Sequence, residues 1–350
     1  MSVSERAGDT LRSFWEEAGG GAFINTLPDA FGLDGQMPSS DAVLRLLDGE
    51  AALSRIWDAL RGEGVGAGAL CARLCGILLL CAIWRLYRGE ARGVHDDFLC
   101  GISALVCALI GFEALAGAFA SSASYLAEIH TAMTAALTTL CTLSAMRGAV
   151  VTASVTSVGM ALFLSVMEVL CTGVCFPFLR VCTGLSLAAG AGGGSVLSEL
   201  SALLRKQFLF LIGGMMTILC AVLSYQTVLS RAADSVTMRA VRFTLSGTVP
   251  IIGGAVSEAA STVAAGFSLV KRTVGVLGAA LLLWQMLPPI CEVILLRAAL
   301  SLSAALASLL GMTREADILR DCASIGGFLL AIVIAASVLY LLMLSLCIGT

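Results

Sequence analysis

Charged side chains are scarce. Asp, Glu, Lys and Arg together make up 13% of the 350 residues, against 58% hydrophobic residues. A water-soluble domain carries about a quarter charged residues, so the composition excludes an ordinary soluble globule and points to a chain whose solvent is a bilayer. Basic runs are short as well. No cluster exceeds two residues and the net charge is −3, which leaves no electrostatic footprint for nucleic acid.

Other absences narrow the chemistry. None of the thirteen cysteines forms a CxxC pair and their number is odd. Most lie in apolar runs (Cys71, Cys75, Cys81, Cys100, Cys107, Cys171, Cys175, Cys220), where free cysteine behaves as a small hydrophobe. Packing is therefore the expected use, rather than a disulfide framework. His95 and His130 have no spaced partner to complete a metal site. AGAGGGS at 189–195 lacks the GK[ST] ending and the preceding strand of a phosphate loop, and reads as a connection between helices. Neither GxSxG nor HExxH accompanies the many Ser and Thr residues. No enzymatic activity and no cofactor is expected. The opening MSVSERAGDT lacks the charged-then-apolar pattern of a signal peptide; either none is needed or one precedes the chain as given.

What is present divides the chain in two. Residues 1–63 hold eleven acids against five arginines, a net of −6, and residues 64–350 hold thirteen acids against sixteen bases, a net of +3. The first part is a polar N-terminal region and the second a multispanning membrane domain. In the polar region, Val43, Leu46, Leu47, Leu53, Ile56, Trp57 and Leu60 recur at helical spacing over 41–60 with charges between them. That is an amphipathic helix too charged to span, suited to a membrane surface, a partner or water.

A bilayer core takes about 20 apolar residues in helical form. By that measure six spans run near 65–84, 98–120, 154–178, 208–229, 274–296 and 324–348. Weaker candidates at 124–145, 181–199, 249–270 and 298–311 are rich in Ala, Gly, Ser and Thr, which suits helices buried against other helices. The predicted fold is an all-α polytopic membrane bundle of six to nine helices. Arg85, Arg88 and Arg92 follow the first span, so the 85–97 connection is placed on the cytoplasmic side and the acidic head on the other.

Ionisable groups at membrane depth are costly and mark a bundle interior or a water-lined path. Here they are Arg73, Glu113, Glu168, Glu258 and Glu292. Glu168, in ALFLSVMEVLCTG, either hydrogen-bonds a neighbouring helix or lines a path. Pro288 and Pro289 lie between Gln285 and Glu292 in the 274–296 span. Two prolines remove successive backbone donors, so the segment is either a discontinuous helix framing a transport site or a packing kink.

Residues 224–283 carry more. The run RFTLSGTVPIIGGAVSEA, followed by Lys271-Arg272 and a Gly-rich span, resembles the stage III sporulation protein AE family. Read physically, Arg231, Arg239 and Arg242, with Lys271 and Arg272, suit a membrane surface. Pro250 and Gly253-Gly254 interrupt a helix, and SEAASTVAAGFSLV offers a small-residue face. A re-entrant or buried hairpin over 244–270 is expected, with Ser257, Glu258, Ser261 and Thr262 either structural or lining a path.

The resemblance implies a subunit of the channel, or feeding tube, joining mother cell and forespore. It places the chain in the mother-cell membrane around the forespore, as scaffold or permease-like conduit. It also implies partners: the ATPase and ring-forming proteins of the same stage III sporulation operon, and stage II sporulation protein Q across the intermembrane space. Family members usually begin with a signal sequence and an extracytoplasmic region, and the family supplies no catalytic motif to carry over. The alternative reading is a stand-alone secondary transporter of a small solute, which internal inverted repeats would favour; none is legible.

Overall fold

Leucine-, alanine- and valine-rich stretches with few breakers become long helices in this chain. The computed structural model describes residues 49–88, 94–146, 150–189 and 253–349, with most of 199–225. The elements are α1 (Gly49–Arg88), α2 (Val94–Met146), α3 (Val150–Glu168), a π-helical stretch (Val169–Cys175), α4 (Phe176–Ala188), α5 (Glu199–Val222), α6 (Gly253–Leu309) and α7 (Thr313–Gly349). Among the described residues there is no strand, and six helical rods are long and apolar enough to cross a membrane, with α3, the π stretch and α4 forming one of them. The protein is an all-α integral membrane protein.

The rods are longer than the apolar windows in the sequence. The windows at 98–120 and 124–145 belong to one 53-residue helix, α2, and those at 274–296 and 298–311 to the 57-residue α6. Serine and threonine do not interrupt these helices because their hydroxyls bond back to their own turn. Thr131 donates to the Ala127 carbonyl at 3.0 Å, Thr134 to His130 at 2.8 Å and Ser144 to Leu140 at 2.7 Å. At 1.5 Å per residue α2 is about 80 Å long, against a bilayer core of about 30 Å, so both α2 and α6 extend beyond the core.

Prolines are absorbed in two ways. Pro288 and Pro289 lie inside α6, which continues as α-helix through them. Pro177 instead follows the π stretch, where the Phe176 N–H reaches back to the Cys171 carbonyl. The wider π turn makes room for a proline whose ring and missing donor conflict with a tight α turn.

The amphipathic segment is not separate from the first span: residues 49–60 form the first turns of α1, and Arg61 lies 5.3 Å over the Trp57 ring. Residues 41–48 lie outside the described residues, as do 244–252. The described remainder of that predicted hairpin, 253–270, is continuous with α6.

Two helical hairpins make the centre. In the α6–α7 hairpin, Gly311 takes φ +75°, the left-handed conformation that glycine adopts at no steric cost. Its N–H reaches the Ser308 carbonyl at 3.1 Å, and the Met312 N–H reaches Ala307 at 2.9 Å, so the last carbonyls of α6 are satisfied in a Schellman turn. The α1–α2 pair lies beside it in the same direction. Cys75 on α1 contacts Ser303 on α6 (Sγ···Oγ 4.0 Å), and on α2 Ser103 bonds Glu315 while Tyr125 bonds Ser337, both pairs 212 apart in sequence. A constant offset over those twenty-two residues means that α2 and α7 run parallel and in register for about 33 Å.

The interior consists of Leu74, Leu78, Leu115, Phe119, Ile129, Met133, Met160 and Tyr340, all at most 2% exposed. Leu80, Leu86, Tyr87, Leu162 and Phe210 stand on the outside, as lipid-facing residues do. Lipid tails are as apolar as leucine, so close approach rather than hydrophobic transfer holds such helices together. A Cβ on Gly111 of α2 would lie 3.1 Å from the Cys322 Sγ on α7. Gly111→Val is expected to push these parallel helices apart and cost about 1–3 kcal/mol. Thermal unfolding in detergent checks this, and an unchanged midpoint would show that the contact is slack.

Candidate functional site

The helix spacing gathers most of the intramembrane charge in one place. On α1, Glu63, Gly66, Leu70 and Arg73 recur every three or four residues and share a face. On α2, Ile110, Glu113, Gly117 and Ser121 do the same. With Glu292 and Leu296 of α6, the α1 residues and Ile110, Glu113 and Gly117 of α2 line a cleft of about 370 Å³. Gly66, Ala67, Ala69, Ala114 and Gly117 leave the space that larger side chains would fill. Three carboxylates against one guanidinium give the cleft a formal charge of −2.

The polar surface continues below the cleft. Ser121 donates to the Glu292 Oε2 at 2.5 Å, and seven residues further along α2 the Glu128 Oε2 accepts from the Gln285 Nε2 at 3.0 Å, seven residues earlier on α6. The two helices therefore run antiparallel along a polar seam. From Glu113 to Glu128 it extends about 22 Å, most of a bilayer core. Glu113 and Glu128 are exposed and Glu292 is half-buried, so the cleft and seam open sideways from the bundle.

Two further polar clusters lie apart from it. His130 Nε2 is 3.6 Å from Glu168 Oε2, tying α2 to the end of α3, and Glu168 is 53% exposed on its side chain. Glu315, fully buried at the start of α7, accepts from Ser103 Oγ at 2.5 Å and lies 3.5 Å from Arg85 Nη2. That cluster joins α1, α2 and α7. Among the described residues no group of three or more His, Cys, Asp or Glu is placed to hold a metal ion.

The sequence candidates separate accordingly. Glu292 and Gln285 lie on the seam, the intramembrane Arg73 and Glu113 line the cleft above it with Glu292, and Pro288 and Pro289 occupy the α6 turn between Gln285 and Glu292. Glu168 belongs to the His130 pair. Ser257, Glu258, Ser261, Thr262, Lys271 and Arg272 lie on the α6 backbone, with side chains outside the described residues, and Arg231, Arg239 and Arg242 also lie outside them. Glu63, Ser121 and Glu128 were not legible as site residues. Glu63 ends the acidic head in sequence, and only the continuity of α1 carries it into the cleft.

The family model described as stage III sporulation protein AE matches residues 49–350. The chain belongs to the stage III sporulation protein AE family. A curated relative, "Stage III sporulation protein AE" of Bacillus subtilis (strain 168), is 22% identical over 303 residues, covering 83% of this chain and 75% of the relative. No solved structure matches. As a member of the stage III sporulation protein AE family the chain is a sporulation protein, and the family match begins where α1 begins and takes in all three helices of the cleft. The 224–283 stretch that carries the resemblance lies within it.

Proposed function

We propose that this chain is a non-enzymatic membrane subunit of the channel joining mother cell and forespore, held in the mother-cell membrane around the forespore, and that the α1–α2–α6 cleft lines a polar path in it. The observation that carries the reading is the charged cleft itself. Glu63, Arg73, Glu113 and Glu292 gather on one laterally open surface inside the apolar length of the bundle. Ionised carboxylates are expensive against lipid, so such a surface suits a water-filled lumen closed by neighbouring subunits. Those neighbours are the ATPase and ring-forming proteins of the same sporulation operon, with stage II sporulation protein Q on the far side of the intermembrane space. Family membership supports the sporulation role.

Water access tests the path. In a cysteine-depleted background, Gly117→Cys is expected to react with a hydrophilic, membrane-impermeant maleimide in sporulating cells, and Leu109→Cys on the outer face of α2 to stay unlabelled. Equal protection of both positions would remove the aqueous path. The stand-alone transporter reading draws on the same carboxylates. It requires that the purified chain alone move a solute across vesicles, whereas the channel reading requires sporulation to stop when the gene is deleted and to resume on complementation.

A further inference from the structure

A second cavity, of about 610 Å³, lies on the α6–α7 hairpin away from the charged cleft. Its polar lining is Arg297, Ser301 and Ser308 of α6 with Arg320 and Ser324 of α7, and Phe328 and Ala331 line its lower end. Arg297 is exposed inside the apolar stretch Gly278–Leu309 and has no ion-pair or hydrogen-bond partner among the described residues. Its guanidinium lies along Gly327, where a Cβ would meet the Cζ and Nη1 atoms at 3.3 Å. The bare backbone at Gly327 thus makes the floor on which Arg297 rests. Among the described residues Arg320 pairs with Asp317, at 3.0 Å, and both are more than half exposed; such a pair is weak and easily exchanged.

Depth orders these groups. Charges crowd the start of α7 (Arg314, Glu315, Asp317, Arg320, Asp321), and residues 322–349 carry none, so the membrane surface crosses α7 near Asp321. Arg320 therefore stands at the surface. Gly327, with Arg297 upon it, lies seven residues or about 10 Å deeper, and Phe328 and Ala331 are deeper still. A phospholipid presents the same sequence: charged phosphate, glycerol backbone, acyl chain. An arginine at this depth is costly without an anion, and basic pockets between membrane helices take anionic headgroups.

We infer that the α6–α7 groove binds the phosphate of an anionic phospholipid, held between Arg297 and Arg320, with the first acyl segment against Phe328. This site is independent of the channel reading. The test uses the full chain in nanodiscs of phosphatidylcholine alone and with phosphatidylglycerol added, read by thermal stability and by lipid retained in native mass spectrometry. Phosphatidylglycerol is expected to raise the melting temperature and to be retained. Arg297→Gln and Arg320→Gln should each weaken retention by about fivefold. Gly327→Leu, which keeps both charges but fills the floor, should weaken it similarly, and it stands in if an arginine variant fails to fold. Arg61→Gln, at the far end of α1, should leave retention unchanged. Equal retention by wild type and the groove variants would overturn the site. Inorganic phosphate giving the same stabilisation in phosphatidylcholine discs would overturn the lipid as its ligand.

Discussion

Arg85→Ala is expected to destabilise the membrane fold by about 3 kcal/mol, because it takes the guanidinium away from a fully buried carboxylate. Glu315 is 0% exposed, and its carboxylate accepts from Ser103 and lies 3.5 Å from the Arg85 guanidinium. Breaking a buried pair from the side that leaves the buried charge behind is the costly direction. The reverse change is milder. Arg85 is 35% exposed on its side chain and can turn to water, so Glu315→Ala should cost about 2 kcal/mol, chiefly the lost hydrogen bond from Ser103 and lost packing. Replacing both by leucine should recover most of the loss. Denaturant titration of the detergent-solubilised chain measures all three. Equal costs for the two single variants would show that Glu315 is hydrated in the folded protein.

Neutralising the cleft is the second large effect, on function rather than stability. Glu113→Gln together with Glu292→Gln keeps volume and leaves Ser121 a partner, so protein level in the membrane should be unchanged. The cleft, however, changes from a formal −2 to zero, with Glu63 balanced by Arg73. If the carboxylates contribute about 1.4 kcal/mol to hydrating or conducting the path, spore yield should fall roughly tenfold. Complementation of a deletion strain, with immunoblots for protein level, reads the outcome. Normal spore yield from the double variant would assign both residues to packing.

The class of fold was legible because nothing but a bilayer accommodates so much apolar sequence with so little charge. Five of the six apolar windows fall within long helical rods, the 154–178 window on the rod of α3, the π stretch and α4, and the sixth, 208–229, runs from α5 past the described residues. Where helices end was not legible from hydropathy, since Thr, Ser and Ala dilute it without interrupting the backbone. Thr131, Thr134 and Ser144 bond to their own helix, and a hydropathy dip at such residues is no boundary. The true boundary at Gly311 does have a local signal, a glycine just past the last apolar turn.

The site was legible by halves. Arg73, Glu113 and Glu292 stand out at membrane depth, but their convergence depends on α1 and α2 meeting α6, which no local pattern encodes. Glu315 was hidden for the opposite reason. It sits among Arg314, Asp317 and Arg320, where a carboxylate ordinarily meets water, and it is buried by the packing of α7 on α2 and α6 with the Arg85 side chain of α1 reaching it. Glu168 was conspicuous in sequence, yet its partner is His130 on the adjacent helix rather than the cleft.

The side-by-side, same-direction arrangement of the α1–α2 and α6–α7 hairpins has a practical corollary for tagging. The C-terminal ends of α1 and α6 lie together with the N-terminal ends of α2 and α7, and the C-terminal ends of α2 and α7 lie together opposite them. An epitope at Gly311 and one at the C-terminal end of α1 therefore report from one compartment, while reporters at the C-terminal ends of α2 and α7 share the other. Any scheme of protease protection or reporter fusions applied to this chain inherits that two-against-two division.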